Sequence, residues 1–322
     1  MKKIAVLTSG GDAPGMNAAI RAVVRTALYH KLQIYGIKYG YKGLIDNDIF
    51  EMCSRDVANI LQLGGTILKT SRSKDFTTKE GREKAAQNLK NFEIEDLIVI
   101  GGDGSFKGAL ALKKEHNINV ICIPGTIDRD IYGTEYTIGF DTAVNTAMEA
   151  IDKIRDTAAA HERLFVVEVM GRDAGYIALN SGIATGAEEI LVPERITNVE
   201  RVIQMINYDK VRKKNVHLIV VAEGDGFGAN TLTSILSKKY PELDVKLCVL
   251  GHIQRGGSPT YYDRVQAAIM GYHAVLGLLE GQNNAMVGLQ NNKIVFCDLE
   301  QSCQKCLTLS QQMLDMVRIL SQ

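Results

Sequence analysis

Short apolar runs of strand length recur along the chain, and each run ends in a glycine or another turn residue. The runs are continuous in Val, Ile and Leu, which is typical of parallel strands that are covered on both faces. They predict β-strands at residues 4–7, 33–37, 97–100, 120–123, 164–169, 217–222 and 245–250.

The segments between these runs repeat their apolar positions with a period near 3.6, which predicts α-helices. They lie at residues 16–29, 107–114, 142–156 and 198–213, and a last helix is expected at about 303–320 after a loop-rich segment at 281–292. Strands that alternate with helices favour an α/β fold of doubly wound, mainly parallel sheets, with functional residues at the carboxyl ends of the strands.

The chain has 322 residues, which is more than one compact core usually holds. No Pro-rich or Ser-rich linker separates two parts, so we expect two α/β lobes joined by hinges near Gly139 and Gly251, with the active site in the cleft between them. The predicted lobes are residues 1–138 with 252–304, and residues 139–251 with 305–322.

The charge balance excludes some partners. Lys plus Arg and Asp plus Glu both total 37, so no basic excess indicates binding to nucleic acid or to an anionic membrane. No apolar run approaches the ~20 residues that span a bilayer. The six cysteines are scattered, as is typical of reduced thiols, and we expect a cytoplasmic protein.

Two predicted strands end in Gly-Gly-Asp, at residues 10–12 and 101–103. We call residues 9–17 the first glycine loop and residues 101–105 the second. Glycines let backbone N–H groups approach an anion, and a following helix start favours negative charge. Asp103 beside phosphates makes sense if Mg²⁺ lies between them, although a plain turn with Asp or Ser as helix cap fits the second loop equally well.

Three further strand ends carry chemical groups. Residues 124–130, which we call the aspartate loop, place Asp128 and Asp130 where one could take a hydroxyl proton while the other helps to hold a metal ion or water; the alternative is a surface turn. Arg172 and Arg255 follow two later strands, as suits bidentate binding of a phosphate ester. Neither glycine loop is a dinucleotide fingerprint or a Walker A loop, so an oxidoreductase is not supported.

Taken together and in this order, GGDAPGMNAAIR, GGDGS, PGTIDRD, VEVMGR and LGHIQRGGSP resemble the bacterial ATP-dependent 6-phosphofructokinases from residue 4 to about residue 294. The resemblance implies phosphoryl transfer from MgATP to the 1-hydroxyl of fructose 6-phosphate, the committed step of glycolysis. It also implies an ATP-binding first lobe, a sugar-phosphate-binding second lobe and a homotetramer.

The resemblance assigns roles residue by residue. ATP is bound by Gly11, Tyr41, Arg72, Ser73, Gly102, Asp103, Gly104, Ser105 and Gly108, with Asp103 holding Mg²⁺. The catalytic set is Asp128 as general base, with Thr126, Asp130, Arg172, Gly11 and Arg72. The sugar phosphate is bound by Thr126, Asp128, Asp130, Met170, Gly171, Arg172, Glu223, His252 and Arg255, and by Arg163 and Lys246 supplied from a neighbouring subunit.

An allosteric site is also implied. Arg21 and Arg25 share a helix face at spacing i, i+4, which costs free energy unless an anion lies between them; a solvated helix face is the alternative. In the family, the site takes a nucleoside diphosphate or phosphoenolpyruvate, and its residues here are Arg21, Arg25, Arg155, Glu188, Arg212 and Lys214.

Glycines at 104 and 125 favour ATP over pyrophosphate, because pyrophosphate-using relatives carry Asp and Lys there.

Four positions depart from the usual pattern, namely Arg129 for Asn, Lys246 for Arg, Ser54 for Arg, and Thr77 where a basic residue is usual. Arg129 is expected to pair with Asp128 or weaken it as a base, or else to serve another contact. We predict weakened substrate affinity and a blunted effector response. Another donor or acceptor (pyrophosphate, tagatose 6-phosphate) and a catalytically weak nucleotide and sugar-phosphate sensor remain alternatives.

Overall fold

The computed structural model describes residues 2–161, 163–212, 217–304 and 308–320. The chain divides into two compact units. Unit 1 comprises Met1–Thr142 and Arg255–Cys306, and unit 2 comprises Ala143–Gln254 and Leu307–Gln322. The predicted lobe boundaries at 138 and 251 lie a few residues before the points of division.

Strands and α-helices alternate along most of the described chain. The strands are β1 (Lys3–Ser9), β2 (Gln33–Ile37), β3 (Ile49–Glu51), β4 (Asp96–Gly101), β5 (Asn119–Pro124), β6 (Leu164–Val169), β7 (Glu189–Leu191), β8 (His217–Ala222), β9 (Val245–Val249), β10 (Ala285–Gln290) and β11 (Lys293–Asp298). The helices are α1 (Met16–Tyr29), α2 (Gly40–Asp46), α3 (Lys79–Asn91), α4 (Asp103–His116), α5 (Phe140–His161), α6 (Tyr176–Thr185), α7 (Val199–Val211), α8 (Ala229–Lys239), α9 (Tyr261–Leu279), α10 (Leu299–Ser302) and α11 (Gln311–Leu320).

Unit 1 contains one sheet, in the order β11-β10-β5-β4-β1-β2-β3. Its five inner strands are parallel, and β3 and β11 pair antiparallel at the two edges. Every residue of β4 is buried, as its continuous apolar run predicts for a strand covered on both faces. The direction of winding reverses between β1 and β4, and ligands of such sheets bind outside the carboxyl ends of the strands at that point. Both glycine loops begin there.

Unit 2 contains a second sheet, in the order β7-β8-β6-β9, with all pairs parallel. A separate core of buried apolar residues lies on one of its faces, built from β6 and β8 with side chains of α7 and α8. The strand order reverses direction between β6 and β9. The sequence segments with Arg172 and His252 follow these two strands, so they lie at the corresponding edge of the second sheet.

The predicted α/β class with mainly parallel, doubly wound sheets is confirmed, and all seven predicted strands are present. Two predictions for the C-terminal part are wrong. The sequence predicts a loop-rich segment at residues 281–292, but β10 lies within it and pairs with β5 and β11. Asn291 and Asn292 both have left-handed φ angles, which is the backbone that a tight hairpin turn requires.

The single helix expected at about 303–320 is also not observed. Helix α10 ends at Ser302, residues 308–310 are not helical, and α11 begins at Gln311. Ser310 accounts for this start, because its Oγ accepts a hydrogen bond from the backbone N–H of Met313, 3.3 Å away, as an N-cap does. Among the described residues, no helix is both long and apolar enough to cross a lipid bilayer.

Candidate functional site

The ends of β1, β4 and β5 are aligned at one edge of the unit 1 sheet. Ser9 is paired with Gly101, and Gly101 with Pro124, so the two glycine loops and the aspartate loop leave the sheet side by side. A Cβ at Gly101 would lie 2.5 Å from the carbonyl oxygen of Ser9 and 2.6 Å from Oγ of Ser105. Glycine is therefore required there for the close approach of the two loops.

Asp103 is the first residue of α4. Its Oδ2 accepts an ion-pair hydrogen bond from Nζ of Lys107 at 2.8 Å, whereas its Oδ1 is buried and has no hydrogen-bond partner among the residues that the structure describes. A buried carboxylate oxygen of this kind is a fitting ligand for Mg²⁺. In the described part of the chain, no three acidic, His or Cys side chains cluster as a metal site, so phosphates and water would complete the coordination, as is usual for Mg²⁺ with nucleotides.

Four of the predicted ATP-binding positions lie near one another beside α4. Tyr41 donates its hydroxyl hydrogen bond to the carbonyl oxygen of Ser105 at 2.5 Å, and its ring stacks on Phe76 with 4.0 Å between the ring centroids. A Cβ at Gly108 would lie 2.8 Å from the Tyr41 ring, and Oγ of Ser73 accepts a hydrogen bond from the backbone N–H of Phe76. Tyr41 is buried, so it shapes the wall of this region. Arg72 is exposed.

Phe76, which stacks on Tyr41, is not among the predicted ATP-binding residues. It lies in a single turn of 3-10 helix, Asp75–Thr77, which is too short to produce an apolar periodicity in the sequence. Thr77, one of the departures from the family pattern, is in the same turn and donates its hydroxyl hydrogen bond to the carbonyl oxygen of Lys74 at 2.6 Å.

The aspartate loop brings its carboxylates inward. Asp128 and Asp130 are 3% and 5% exposed, and the backbone N–H of Asp128 donates to Oγ1 of Thr126 at 3.2 Å. A Cβ at Gly102 would lie 3.5 Å from that of Thr126, so this loop touches the second glycine loop. The aspartate loop therefore lies beside the loop that carries Asp103.

Arg129 has a left-handed backbone, with φ of 55°, and its guanidinium lies over the ring of Phe140 at 5.2 Å from the centroid. A cation–π contact of this kind is worth about 0.5–1 kcal/mol at an exposed site. The sequence left open whether Arg129 acts on Asp128 or serves another contact, and the structure shows one such contact, with Phe140 outside the aspartate loop.

Arg255 belongs to unit 1, where its Nη1 donates to the carbonyl oxygen of Asp12 at 3.2 Å. A Cβ at Gly11 would lie 2.5 Å from the same nitrogen. The structure thus places this predicted sugar-phosphate residue against the first glycine loop.

In unit 2, one carboxylate organises the loop after β6. Oε1 of Glu223 accepts from the backbone N–H groups of Gly171, at 3.2 Å, and Arg172, at 2.7 Å. Arg172 has a left-handed φ of 53°, and a Cβ at position 224 would lie 1.9 Å from its carbonyl oxygen, so only glycine fits there. The backbone N–H of Met170 donates to Gln254, and His252 is exposed in the turn Gly251–Arg255.

Arg163 and Lys246, both predicted to reach a neighbour's substrate, are held by one side chain that the sequence did not indicate. Asp244 accepts from Nε of Arg163 at 2.6 Å and from Nζ of Lys246 at 2.7 Å. The hydrogen bond from Lys246, assisted by that from Arg163, lowers the pKa of Asp244 from its ordinary value. Pairing of β6 with β9 explains the meeting, since Leu164 is aligned with Val245.

The predicted effector residues are divided between the units. Arg21 and Arg25 lie on α1, and burial, followed by the charge of Arg25, lowers the pKa of Arg21. In unit 2, Nη2 of Arg155 donates to the carbonyl oxygens of Thr185 and Gly186, and Oε2 of Glu188 accepts from the backbone N–H of Leu218 at 2.6 Å. Arg212 lies over the ring of Tyr208. Lys214 lies outside the described residues.

Comparison with known proteins provides the family. A family model described as phosphofructokinase matches residues 3–278. The chain is 48% identical over its whole length to "ATP-dependent 6-phosphofructokinase 2" of Bacteroides thetaiotaomicron, covering 99% of that protein. It is 49% identical over its whole length to the ATP-dependent 6-phosphofructokinase of Caldanaerobacter subterraneus subsp. tengcongensis, covering 100% of that protein.

Solved structures agree with this. The phosphofructokinase of Saccharomyces cerevisiae superposes with a TM-score of 0.89 at 37% identity over 94% of this chain, which spans 45% of the yeast chain. A pyrophosphate-dependent phosphofructokinase from Marinobacter aquaeolei shares the fold, with a TM-score of 0.85 at 22% identity, over 99% of this chain and 91% of that one. From the family match, the full-length relatives and the arrangement of the glycine and aspartate loops, we conclude that this chain belongs to the phosphofructokinase family.

Proposed function

We propose that this protein is an ATP-dependent 6-phosphofructokinase, which transfers the γ-phosphoryl group of ATP to the 1-hydroxyl of fructose 6-phosphate and forms fructose 1,6-bisphosphate. The observation that carries the proposal is the full-length identity of 48–50% to bacterial proteins of that name. The alignment of both glycine loops with the aspartate loop supports it.

In the proposed reaction, Asp128 takes the proton of the attacking hydroxyl. The aspartate loop favours this, because its carboxylates are nearly buried and its Thr126 lies against the second glycine loop, which would bind the phosphates of ATP. Phosphoryl transfer depends mainly on positioning and on stabilisation of charge. Asp128 supplies the base, and Thr126 holds the backbone of the loop in place.

Asp103 would hold Mg²⁺ through its buried Oδ1. When bound with ATP, the ion neutralises charge on the β- and γ-phosphates. Lys107 holds the other oxygen of Asp103, which leaves Oδ1 as the ligand.

Unit 2 would bind the sugar phosphate. Glu223 engages the backbone N–H groups of Gly171 and Arg172, which orients the loop and leaves the guanidinium of Arg172 for the substrate and the charge that develops on the transferred group. Met170 and His252 would complete this set, and Arg255, which belongs to unit 1, is a further proposed ligand of the sugar phosphate.

We extend the proposal to a cytoplasmic homotetramer. Arg163 and Lys246 would reach the sugar phosphate of a neighbouring subunit. The site of Arg21, Arg25, Arg155, Glu188, Arg212 and Lys214 would take a nucleoside diphosphate or phosphoenolpyruvate. Two arginines on one helix face, one with a lowered pKa, are an electrostatic cost that a bound anion would offset.

The test is an assay coupled to fructose 1,6-bisphosphate formation, with ATP and then pyrophosphate as donor, and with fructose 6-phosphate and tagatose 6-phosphate as acceptor. We expect turnover with ATP and fructose 6-phosphate and at least about a hundredfold lower kcat/KM for the other combinations, which corresponds to ~3 kcal/mol of discrimination. A higher kcat/KM with pyrophosphate than with ATP would overturn the proposal that ATP is the phosphoryl donor. Binding of ATP without turnover for any pair would favour a sensor instead.

A further inference from the structure

Asp263, on the first turn of α9, is a carboxylate that the mechanism does not use and that solvent does not reach. Its side chain is 0% exposed. Oδ1 accepts from the hydroxyl of Tyr136 and from the backbone N–H of Gly139 at 2.6 Å. Oδ2 accepts from the backbone N–H of Thr142 at 2.8 Å and from its hydroxyl at 2.5 Å.

All four donors belong to residues 136–142, the segment between the aspartate loop and the first turn of α5. The first N–H groups of a helix have no partner within the helix, and the helix dipole favours negative charge there. Asp263 thus caps α5 from a different helix. Burial raises the pKa of Asp263, and these hydrogen bonds oppose the rise because they stabilise the carboxylate.

A second set of bonds joins the same two helix starts. Thr260 caps α9, since its Oγ1 accepts from the backbone N–H of Asp263 at 3.2 Å, and its hydroxyl donates to Asp141 at 2.6 Å. Its own N–H donates to the hydroxyl of Thr142 at 3.1 Å. The starts of α5 and α9 are therefore held to each other through buried or half-buried groups.

Gly139 connects the joined starts of α5 and α9 to the loops of the candidate site. Its φ is 102°, and a Cβ there would lie 2.7 Å from the Cβ of Ala13 and 3.2 Å from Cγ2 of Ile127. Ala13 belongs to the first glycine loop and Ile127 to the aspartate loop. Beside it, the backbone N–H of Ile138 donates to the carbonyl oxygen of Pro124 at 2.8 Å, at the start of the aspartate loop. The segment that Asp263 holds is thus packed between both loops.

We propose that Asp263 is a positioning residue, which holds Gly139 in place and thereby sets the spacing between the first glycine loop and the aspartate loop. The assignment rests on the proposed function, because the distance from the base to the phosphoryl donor matters only if these loops carry them. A misplacement of about 1 Å can cost on the order of a hundredfold in rate.

The test uses Asp263→Asn, which keeps the shape of the side chain and replaces one acceptor oxygen with a donor that faces other donors. We expect kcat to fall by about tenfold or more with both KM values within about twofold, as for a loss of positioning in the transition state. Amide hydrogen exchange should become faster in peptides that cover residues 9–17 and 124–142.

Asp96→Asn is the matched control. Asp96 is 1% exposed and is held by Lys2 and by Asn119, but it begins β4, at the end of the strand away from the loops. This variant should lower Tm while kcat and the exchange of both loops stay at wild-type values. Tyr136→Phe removes one of the four donors to Asp263 and should give a smaller change in the same direction.

Wild-type kcat in folded Asp263→Asn, or unchanged exchange in the two loops, would overturn the proposal. If Asp263→Asn does not fold, Tyr136→Phe decides by the same two measurements. If the wild-type protein does not phosphorylate fructose 6-phosphate, the proposed function fails, whereas the exchange measurement still decides whether Asp263 positions the loops.

Discussion

Asp128 and Arg129 are adjacent in the aspartate loop but lie in different surroundings. Asp128 is buried, while the guanidinium of Arg129 extends over the ring of Phe140. The left-handed backbone of Arg129 is uncommon for residues with a side chain, and Asn adopts it more readily than Arg. The two side chains can therefore be tested separately.

Asp128→Asn should lower kcat by about 10²–10⁴-fold with little change in KM, because general-base catalysis contributes on that order and the amide keeps the shape of the side chain. Steady-state kinetics with both substrates measures this. Asp46→Asn, at an exposed position at the end of α2, is the control. A kcat for Asp128→Asn equal to that of the control would contradict the role.

Arg129→Asn should raise kcat by a few-fold and leave the KM for fructose 6-phosphate equal or lower, because a cation close to a carboxylate weakens that carboxylate as a base. Lys31→Asn is the control, because Lys31, just after α1, has a left-handed φ of 58° like that of Arg129. This variant should change stability without changing kinetics. Unchanged KM and kcat in Arg129→Asn would show that this departure from the family pattern has no effect on catalysis.

Asp103→Asn should raise the Mg²⁺ concentration that gives half-maximal activity, since an amide oxygen is a weaker ligand than a carboxylate. Lys107→Met should act in the opposite direction, because it frees Oδ2 of Asp103 from its ion pair. Titration of activity with Mg²⁺ at fixed ATP tests both. Equal Mg²⁺ requirements in the two variants would rule out Asp103 as the ligand.

The first turn of α4 and the start of the aspartate loop differ in the free space around their glycines, Gly104 and Gly125. A Cβ at Gly104 would meet no atom of the described residues within 4 Å, whereas one at Gly125 would lie 3.0 Å from Cε of Met16 and 3.1 Å from Cγ2 of Ile100. The space beside Gly104 is open to a ligand, and the backbone at Gly125 is packed against the core.

Gly104→Asp should fold normally, because the position is open and acidic residues are tolerated at helix starts. It should raise the KM for ATP by about tenfold or more, equivalent to ~1.4 kcal/mol of repulsion from the phosphates. Gly104→Ala adds the Cβ without the charge and should keep the KM for ATP near its wild-type value. If both variants change this KM equally, the effect is steric.

In the whole molecule, the role of Arg163 depends on how subunits assemble. It is held by Asp244, together with Lys246, at the start of β6 and β9. If it serves a neighbour's substrate, the base and this arginine of one site come from different chains. Activity would then depend on assembly.

Mixing Asp128→Asn subunits with Arg163→Ser subunits after reversible dissociation tests this. In a random mixture of equal amounts of the two variants in a closed oligomer, about a quarter of the sites would contain an intact Asp128 and an intact Arg163 from the neighbour. We therefore expect the mixture to regain activity that neither variant has alone. No gain in a mixture shown to contain hybrid oligomers would place Arg163 in the site of its own chain.

Continuous apolar runs and Gly-Asp turns are local signals, so the sequence was enough to predict the α/β class, seven of the strands, and the glycine and aspartate loops. It did not indicate β10, whose run lies among turn residues, nor the interruption before α11. Tertiary structure alone decided that Phe76 stacks on Tyr41, that Asp244 holds two cations, and that Asp263 caps a helix that begins more than a hundred residues earlier in the chain. The physical reason is that these contacts join residues far apart in the chain, and local periodicity carries no information about which distant side chains a folded sheet brings together.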